Sequence, residues 1–176
     1  MLQSSHRLCV KTRIAIKYKY RRIFVIRIAD INDLDRLTEL FIELHRYHVE
    51  IMPETFIMPD REWFSWRISE ILNDVEQKVL VYENGRIEAY AVMKIIDVDS
   101  EDKPFRRICF IDCFAVSESC RRQGIGTELF EAVKAFGREK GCTSVQLGVS
   151  AGNAGAVGFY EKMGLTPRTI QMEDKL

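Results

Sequence analysis

Two glycines one residue apart, Gly124 and Gly126, stand directly after Arg121, Arg122 and Gln123. They follow a run of β-forming residues and open an amphipathic stretch. A glycine turn in that place points backbone N–H groups outward, where they bind anions. The turn is not a Walker loop, because no Gly-Lys-Ser/Thr follows it. Nor is it a dinucleotide fingerprint, whose third glycine would fall on Leu129. A bare tight turn is the alternative, but two guanidinium groups beside the glycines favour phosphate.

Other reactive side chains are less decisive. Cys109 and Cys113 are four apart on a predicted strand, so they are expected to share one face as core thiols. Cys120 adjoins Arg121, a neighbour that can lower a thiol pKa, yet nothing marks it as a nucleophile. His45-x-x-His48 resembles half a metal site, but no complete ligand set accompanies it. With Glu43 and Glu50 these histidines read first as a solvated helix face and second as contacts to a ligand.

The elements that must position these groups are legible from periodicity. Phe24–Ile28 reads as a first strand, and Asp30 or Asn32 caps a helix with Leu34, Leu37, Phe41 and Leu44 at helical spacing. Pro53 and Pro59 bracket a loop from Met52 to Met58. Asp60 precedes a second helix carrying Phe64, Ile68, Ile71 and Val75 on one stripe, and Trp63, Phe64 and Trp66 are expected mainly in the core. Runs at 78–83 and 86–98 flank Asn84-Gly85, a hairpin signal. Residues 99–107 read as a charged loop and Ile108–Val116 as a strand. Ile125, Leu129, Val133 and Phe136 mark a helix closed by Gly141. Ser144–Val149 is a further strand, Asn153 opens a short helix that Gly164 ends, and 166–176 is expected as a final strand. The order implies an α/β (α+β) architecture around one mixed sheet.

Composition sets the outer bounds. The chain has 176 residues, 47% hydrophobic and 30% charged, which suits one domain with a real core rather than disorder. No run approaches the roughly 20 apolar residues that span a bilayer. Five cysteines, an odd number with no CxxC pair, point to a reducing, cytoplasmic setting. Residues 1–29 hold eight Lys/Arg and no acid, leaving 18 basic against 26 acidic residues beyond them, a net of −8. Such an acidic body suits a cationic or amine ligand better than nucleic acid. Residues 1–22 read as a basic N-terminal extension, within which Ile14–Tyr20 alternates like an added edge strand.

Arg121-Arg122-Gln123-Gly124-Ile125-Gly126 resembles the Arg/Gln-x-x-Gly-x-Gly/Ala signature of GNAT-type N-acetyltransferases. Ile111-Asp-Cys-Phe-Ala-Val116 is similar to that family's fourth strand. Asn153-Ala-Gly-Ala-Val-Gly-Phe-Tyr160-Glu-Lys-Met-Gly164-Leu is similar to its Asn…Phe-Tyr-Glu-Lys-x-Gly-Phe signature. The resemblance covers about residues 23–176. It implies a mostly antiparallel sheet flanked by helices, with a parallel, splayed strand pair forming a cleft for acetyl-CoA.

By the same resemblance the pyrophosphate rests on amides of Arg121, Arg122, Gln123, Gly124, Ile125, Gly126 and Thr127. The pantetheine arm pairs with Phe114, Ala115 and Val116, and Asn153 contacts the cofactor. Tyr160 matches the residue beside the thioester sulfur, a proton donor to the leaving thiolate, with a packed aromatic as its alternative. Asp112 matches a place where related enzymes carry an acid or a bound water; a solvent-facing or capping residue is the other reading. The Met52–Met58 loop, with Glu54 and Phe56, is where acceptor selectivity is expected. No metal is implied, the acceptor is a small-molecule or peptide amine, and a homodimer is compatible with the resemblance.

Two readings from other classes compete: a non-catalytic acyl-CoA sensor, and a nucleic-acid module using the basic arm. Retention of Tyr160 and Asn153 argues against the first, and the acidic body against the second. Deleting residues 1–22 is expected to leave acetyl transfer largely intact, since every motif lies downstream of Ile23. A truncated chain that is insoluble, or has lost its circular dichroism signal, would show that the segment belongs to the domain.

Overall fold

The computed structural model of the chain describes residues 24–174; the basic segment and its expected strand at Ile14–Tyr20 lie outside them. In chain order the elements are β1 (Val25–Ile28), α1 (Leu34–Ile51), α2 (Arg61–Asn73), β2 (Gln77–Glu83), β3 (Ile87–Ser100) and β4 (Lys103–Val116). They continue with α3 (Ile125–Glu139), β5 (Ser144–Leu147) and α4 (Ala154–Lys162). The five strands form one sheet in sequence order, antiparallel throughout except for the parallel pair β4–β5.

The period-2 pattern of β2 and β3 feeds two cores. Leu80, Tyr82, Ala89, Ala91 and Met93 face α3, where they meet Ile125, Leu129, Phe130 and Val133. Val79, Val81, Tyr90 and Val92 face α1 and α2, meeting Leu37, Leu40, Phe41, Phe64, Ile68 and Ile71. Covering both faces with helices gives three layers.

Several expectations are corrected. Residues 99–107 are no loop: β3 and β4 continue as a long hairpin to Ser100 and Lys103. Arg107 and Asp97 lie opposite each other in the register and form two hydrogen bonds at 2.7 Å, a cross-strand charge pair that lets charged residues extend the ladder. Residues 166–174 form no strand among the described residues, and Ile170 and Met172 are 78% and 90% exposed. Trp63 and Trp66 are exposed, because Phe64, Ile68 and Ile71 already occupy the single stripe α2 turns inward. Val75 lies past the end of α2 and is exposed too.

Cys109 and Cys113 do not share a face. Val92 pairs with Cys113 but Met93 pairs with Ile111, so Asp112 is an extra residue, a β-bulge. The bulge reverses the parity of the strand. Cys109 and Ile111 face α3, whereas Cys113 and Ala115 face α1.

At the other end of the sheet Asp30 caps the turn before α1 through a reciprocal capping box with Asp33. Asp33 also accepts two bonds from Arg27, at 2.7 and 2.9 Å, while Arg27 reaches Glu83 at 2.7 Å. Burial tends to raise the Asp33 pKa, but the Arg27 guanidinium and the Asp30 N–H outweigh it and hold the carboxyl below its usual range. A carboxylate depressed in this way stabilises the fold above the ordinary Asp pKa, and that contribution is lost as pH falls through the lower folded value. Asp33→Asn is therefore expected to cost about 1.5–3 kcal/mol near neutrality, the range for hydrogen bonds to charged groups. The difference from wild type in urea melts should shrink as pH drops below the ordinary carboxylate range.

Candidate functional site

The parallel ladder ends just before the bulge. β4 and β5 pair only from Ile108↔Ser144 to Ile111↔Leu147, after which β5 stops and β4 runs on to Val116. From Asp112 to Val116 the β5-side edge of β4 is therefore open, with backbone donors and acceptors facing a cleft. Ser117 closes the strand by donating its N–H to Glu88 at 2.7 Å.

The chain then passes through a short turn at Glu118–Cys120 into the glycine loop. Gln123 Nε2 donates to the Ser119 carbonyl at 3.2 Å, and Arg121 Nε to the Val116 carbonyl at 3.2 Å. Arg122 is held at φ 62°, a left-handed conformation unusual for a residue with a side chain. Gly124 is at φ 88° and caps α3 without a side-chain hydrogen bond, so no side chain competes for the first N–H groups of the helix. Arg121, Arg122, Gln123, Gly124 and Thr127 are exposed, whereas Ile125 is buried and pins the loop.

The two glycines have different reasons. A Cβ on Gly124 would meet nothing, and there the backbone conformation is the constraint. A Cβ on Gly126 would point inward, 3.4 Å from Val116 Cγ2 and 3.5 Å from Phe159. Those are ordinary contact distances, so a methyl fits at Gly126 and only a larger side chain would push the start of α3 from β4 and α4.

Asn153 and Tyr160 come from α4. Asn153 caps that helix, its Oδ1 accepting from the Ala156 N–H at 3.0 Å and from the Tyr47 hydroxyl at 3.4 Å. Tyr160 packs in an aromatic group with Phe114, Phe130 and Phe159, with ring centroids 5.2–6.3 Å apart. Burial, helped by Cys113, pushes its phenol up to about 12, so it keeps its proton at neutral pH. Burial likewise pushes the Cys113 thiol up to about 11, with Asp112 adding to the rise. Asp112 itself is exposed on the bulge, and its Oδ1 lies 3.9 Å from Lys94 Nζ. Cys120 packs partly against the α3-side core, with its sulfur 3.5 Å from Ser119 Oγ.

Residues from the end of α1 do not form one solvated face. His45 Nε2 donates to the Ile57 carbonyl at 2.7 Å, and the ring lies edge-on to Phe56 and Phe64. His48 also packs on Phe56, and burial, then His45, holds its pKa below the usual value. Glu50 is exposed, while Glu43 turns to the loop after β4 and accepts from Ser117 and from the Glu118 N–H. Among the described residues no group of three or more His, Cys, Asp or Glu could hold a metal ion. No described helix is long and apolar enough to cross a membrane. Tyr47, which touches Asn153 and Arg121, was not singled out from sequence. Its spacing of four from Glu43, at the edge of the inward face that Leu40 buries, is the signal that could have found it.

The acetyltransferase (GNAT) family profile matches residues 34–165, three quarters of the chain and all of this site. The chain belongs to the GNAT acetyltransferase family. Among curated relatives, an uncharacterized N-acetyltransferase of Methanocaldococcus jannaschii is 23% identical over 154 residues, covering 87% of this chain and 65% of that one. The chain thus spans just under two thirds of that relative's length. The [ribosomal protein bS18]-alanine N-acetyltransferase of Escherichia coli is 27% identical over 125 residues, 71% of this chain and 75% of that one. Among solved structures, a mutant BH1408 protein of Bacillus halodurans superposes with a TM-score of 0.82 at 25% identity, covering 86% of this chain and 99% of the other. An aminoglycoside N-acetyltransferase solved with CoA shares the fold, with a TM-score of 0.66 at 18% identity over 91% of this chain and 100% of that one. The matched family is one of acetyltransferases.

The glycine geometry separates two variants. Gly124→Ala is expected to cost about 1–2 kcal/mol, the penalty of a left-handed L-residue. Gly126→Ala, whose Cβ meets neighbours at ordinary contact distance, should stay within about 0.5 kcal/mol, the usual spread for a substitution that breaks no contact. Thermal or urea melts of the two proteins check the order.

Proposed function

We propose that the protein transfers the acetyl group of acetyl-CoA to a primary amine by direct attack, in a cytoplasmic setting. One observation carries the reading: the open edge of β4, Asp112–Val116, runs directly into the glycine turn at the start of α3. An extended thioester arm needs an unpaired strand edge, and a pyrophosphate needs uncapped helix N–H groups, in that order along the chain. The family supports acetyl-CoA as the acyl donor, and the CoA-bound aminoglycoside enzyme supports the fold's fit to it. The related Escherichia coli enzyme is named for acetylating an alanine of a ribosomal protein, and the acceptor class here is assigned only as a primary amine.

In this reading the amides of Arg121–Thr127 hold the pyrophosphate, with the two guanidinium groups beside them. Phe114, Ala115 and Val116 pair with the pantetheine arm, and Asn153 fixes the opposite wall. Acetyl-CoA supplies an activated thioester. The amine must first lose a proton, which Asp112 accepts directly or through one water from its exposed place on the bulge. The C–N bond forms as the C–S bond breaks, and a β4 backbone N–H stabilises the carbonyl oxygen. Tyr160 gives its proton to the departing thiolate and is re-protonated from solvent.

Tyr160→Phe keeps the ring and its packing but removes the donor. Its kcat is expected to fall about 10²-fold, a usual contribution of one general acid, with little change in acetyl-CoA affinity. Because burial pushes the phenol to about 12, wild-type kcat should show no alkaline loss from Tyr160 in the range where an ordinary tyrosine ionises. A Tyr160→Phe enzyme within twofold of wild type at saturating substrates would remove the residue from the mechanism. Wild type that binds acetyl-CoA yet transfers acetyl to no amine in a broad panel would favour a sensor instead.

A further inference from the structure

One turn of α1 touches both walls of the cleft. Glu43 and Tyr47 are four residues apart and so lie on one face of the helix. The Glu43 carboxylate accepts from Ser117 Oγ at 3.2 Å and from the Glu118 N–H, and lies 3.9 Å from the Arg121 guanidinium. Ser117 is only 4% exposed, and its hydroxyl has Glu43 at 3.2 Å as its shorter partner, with Ser119 Oγ at 3.5 Å. Arg121 also sits over the Tyr47 ring, 5.7 Å from its centroid. Tyr47 in turn donates its hydroxyl to Asn153 Oδ1, the atom that caps α4.

We propose that Glu43 is a positioning residue for the cofactor loop: it braces the Ser117–Arg121 turn against α1, while Tyr47 ties the same helix to the α4 cap. This rests on acetyl-CoA as donor. Two effects of the carboxylate oppose each other. Its charge, near a site for a diphosphate, weakens anion binding. Its bonds to a buried hydroxyl and a backbone N–H hold the loop in the one shape that aims the following amides at the phosphates. The pair with Arg121 is partly exposed and long, so it contributes little, and it offsets part of the negative charge. The hydrogen bonds decide the sign, because each is charge-assisted and one partner is buried.

Glu43→Ala is thus expected to raise the acetyl-CoA dissociation constant about tenfold, about 1.4 kcal/mol, with kcat at saturating donor and acceptor within about threefold. Glu43→Gln keeps an acceptor oxygen of the same reach and should restore part of the affinity. S-acetylpantetheine, which ends before the pyrophosphate, separates positioning from general damage: its kcat/KM should differ little between wild type and Glu43→Ala. Calorimetry and steady-state kinetics on the full chain supply these numbers. Unchanged or tighter acetyl-CoA binding in Glu43→Ala, or an equal loss with S-acetylpantetheine, would overturn the proposal. If Glu43→Ala does not fold, Glu43→Gln carries the test, and an affinity equal to wild type overturns it. Wild type that binds no acetyl-CoA overturns the donor assignment itself and the brace with it.

Discussion

Asp112 stands in β4 opposite no residue of β3, and much of the site depends on that one unmatched position. An inserted residue bends a strand and reverses which side chains face which layer. Here it delivers Phe114 and Val116 to the aromatic group around Tyr160 and turns Cys113 toward α1. It also falls where β4 loses β5 as its partner, so the backbone groups beyond it face the cleft and not a neighbouring strand.

The cleft so formed has unlike sides. Toward α3 it is lined by packed rings, a setting that keeps the Tyr160 phenol neutral at neutral pH. Toward α1 it is polar, with a carboxylate, two hydroxyls, an amide and a guanidinium in mutual contact. Low dielectric strengthens electrostatics on the first side, and directed hydrogen bonds hold the second. A thioester reaction needs both: a dry place for charge to move, and a rigid frame that sets where it moves.

The glycine turn, the helices and the Asn84-Gly85 hairpin were legible because their signals are local: a backbone conformation that glycine favours, a 3.6-residue period, a turn dipeptide. The motifs around Arg121–Gly126 and Asn153–Gly164 were legible for the same reason. The bulge was not, since Ile111-Asp-Cys113 contains neither glycine nor proline and its register is a property of the partner strand. Without the bulge, Cys109 and Cys113 would share one face. The charged hairpin tip was hidden because Arg107 and Asp97 stabilise each other only once paired. The role of Glu43 was invisible because Ser117 and Glu118 lie 74 and 75 residues away in the chain. Aromatic content alone misplaced the two tryptophans, for a helix can bury only one stripe.

Those tryptophans, the only two in the chain, both lie on α2, outside the aromatic group of the cleft and 44% and 57% exposed. Intrinsic indole emission from this protein is consequently red-shifted and reports on α2 and the solvent around it. Trp63 also meets the Phe64 ring edge-on, and Phe64 in turn contacts His45 beside the Ile57 carbonyl. Fluorescence is therefore nearly blind to a ligand on the glycine turn yet responsive to one that moves the segment between α1 and α2.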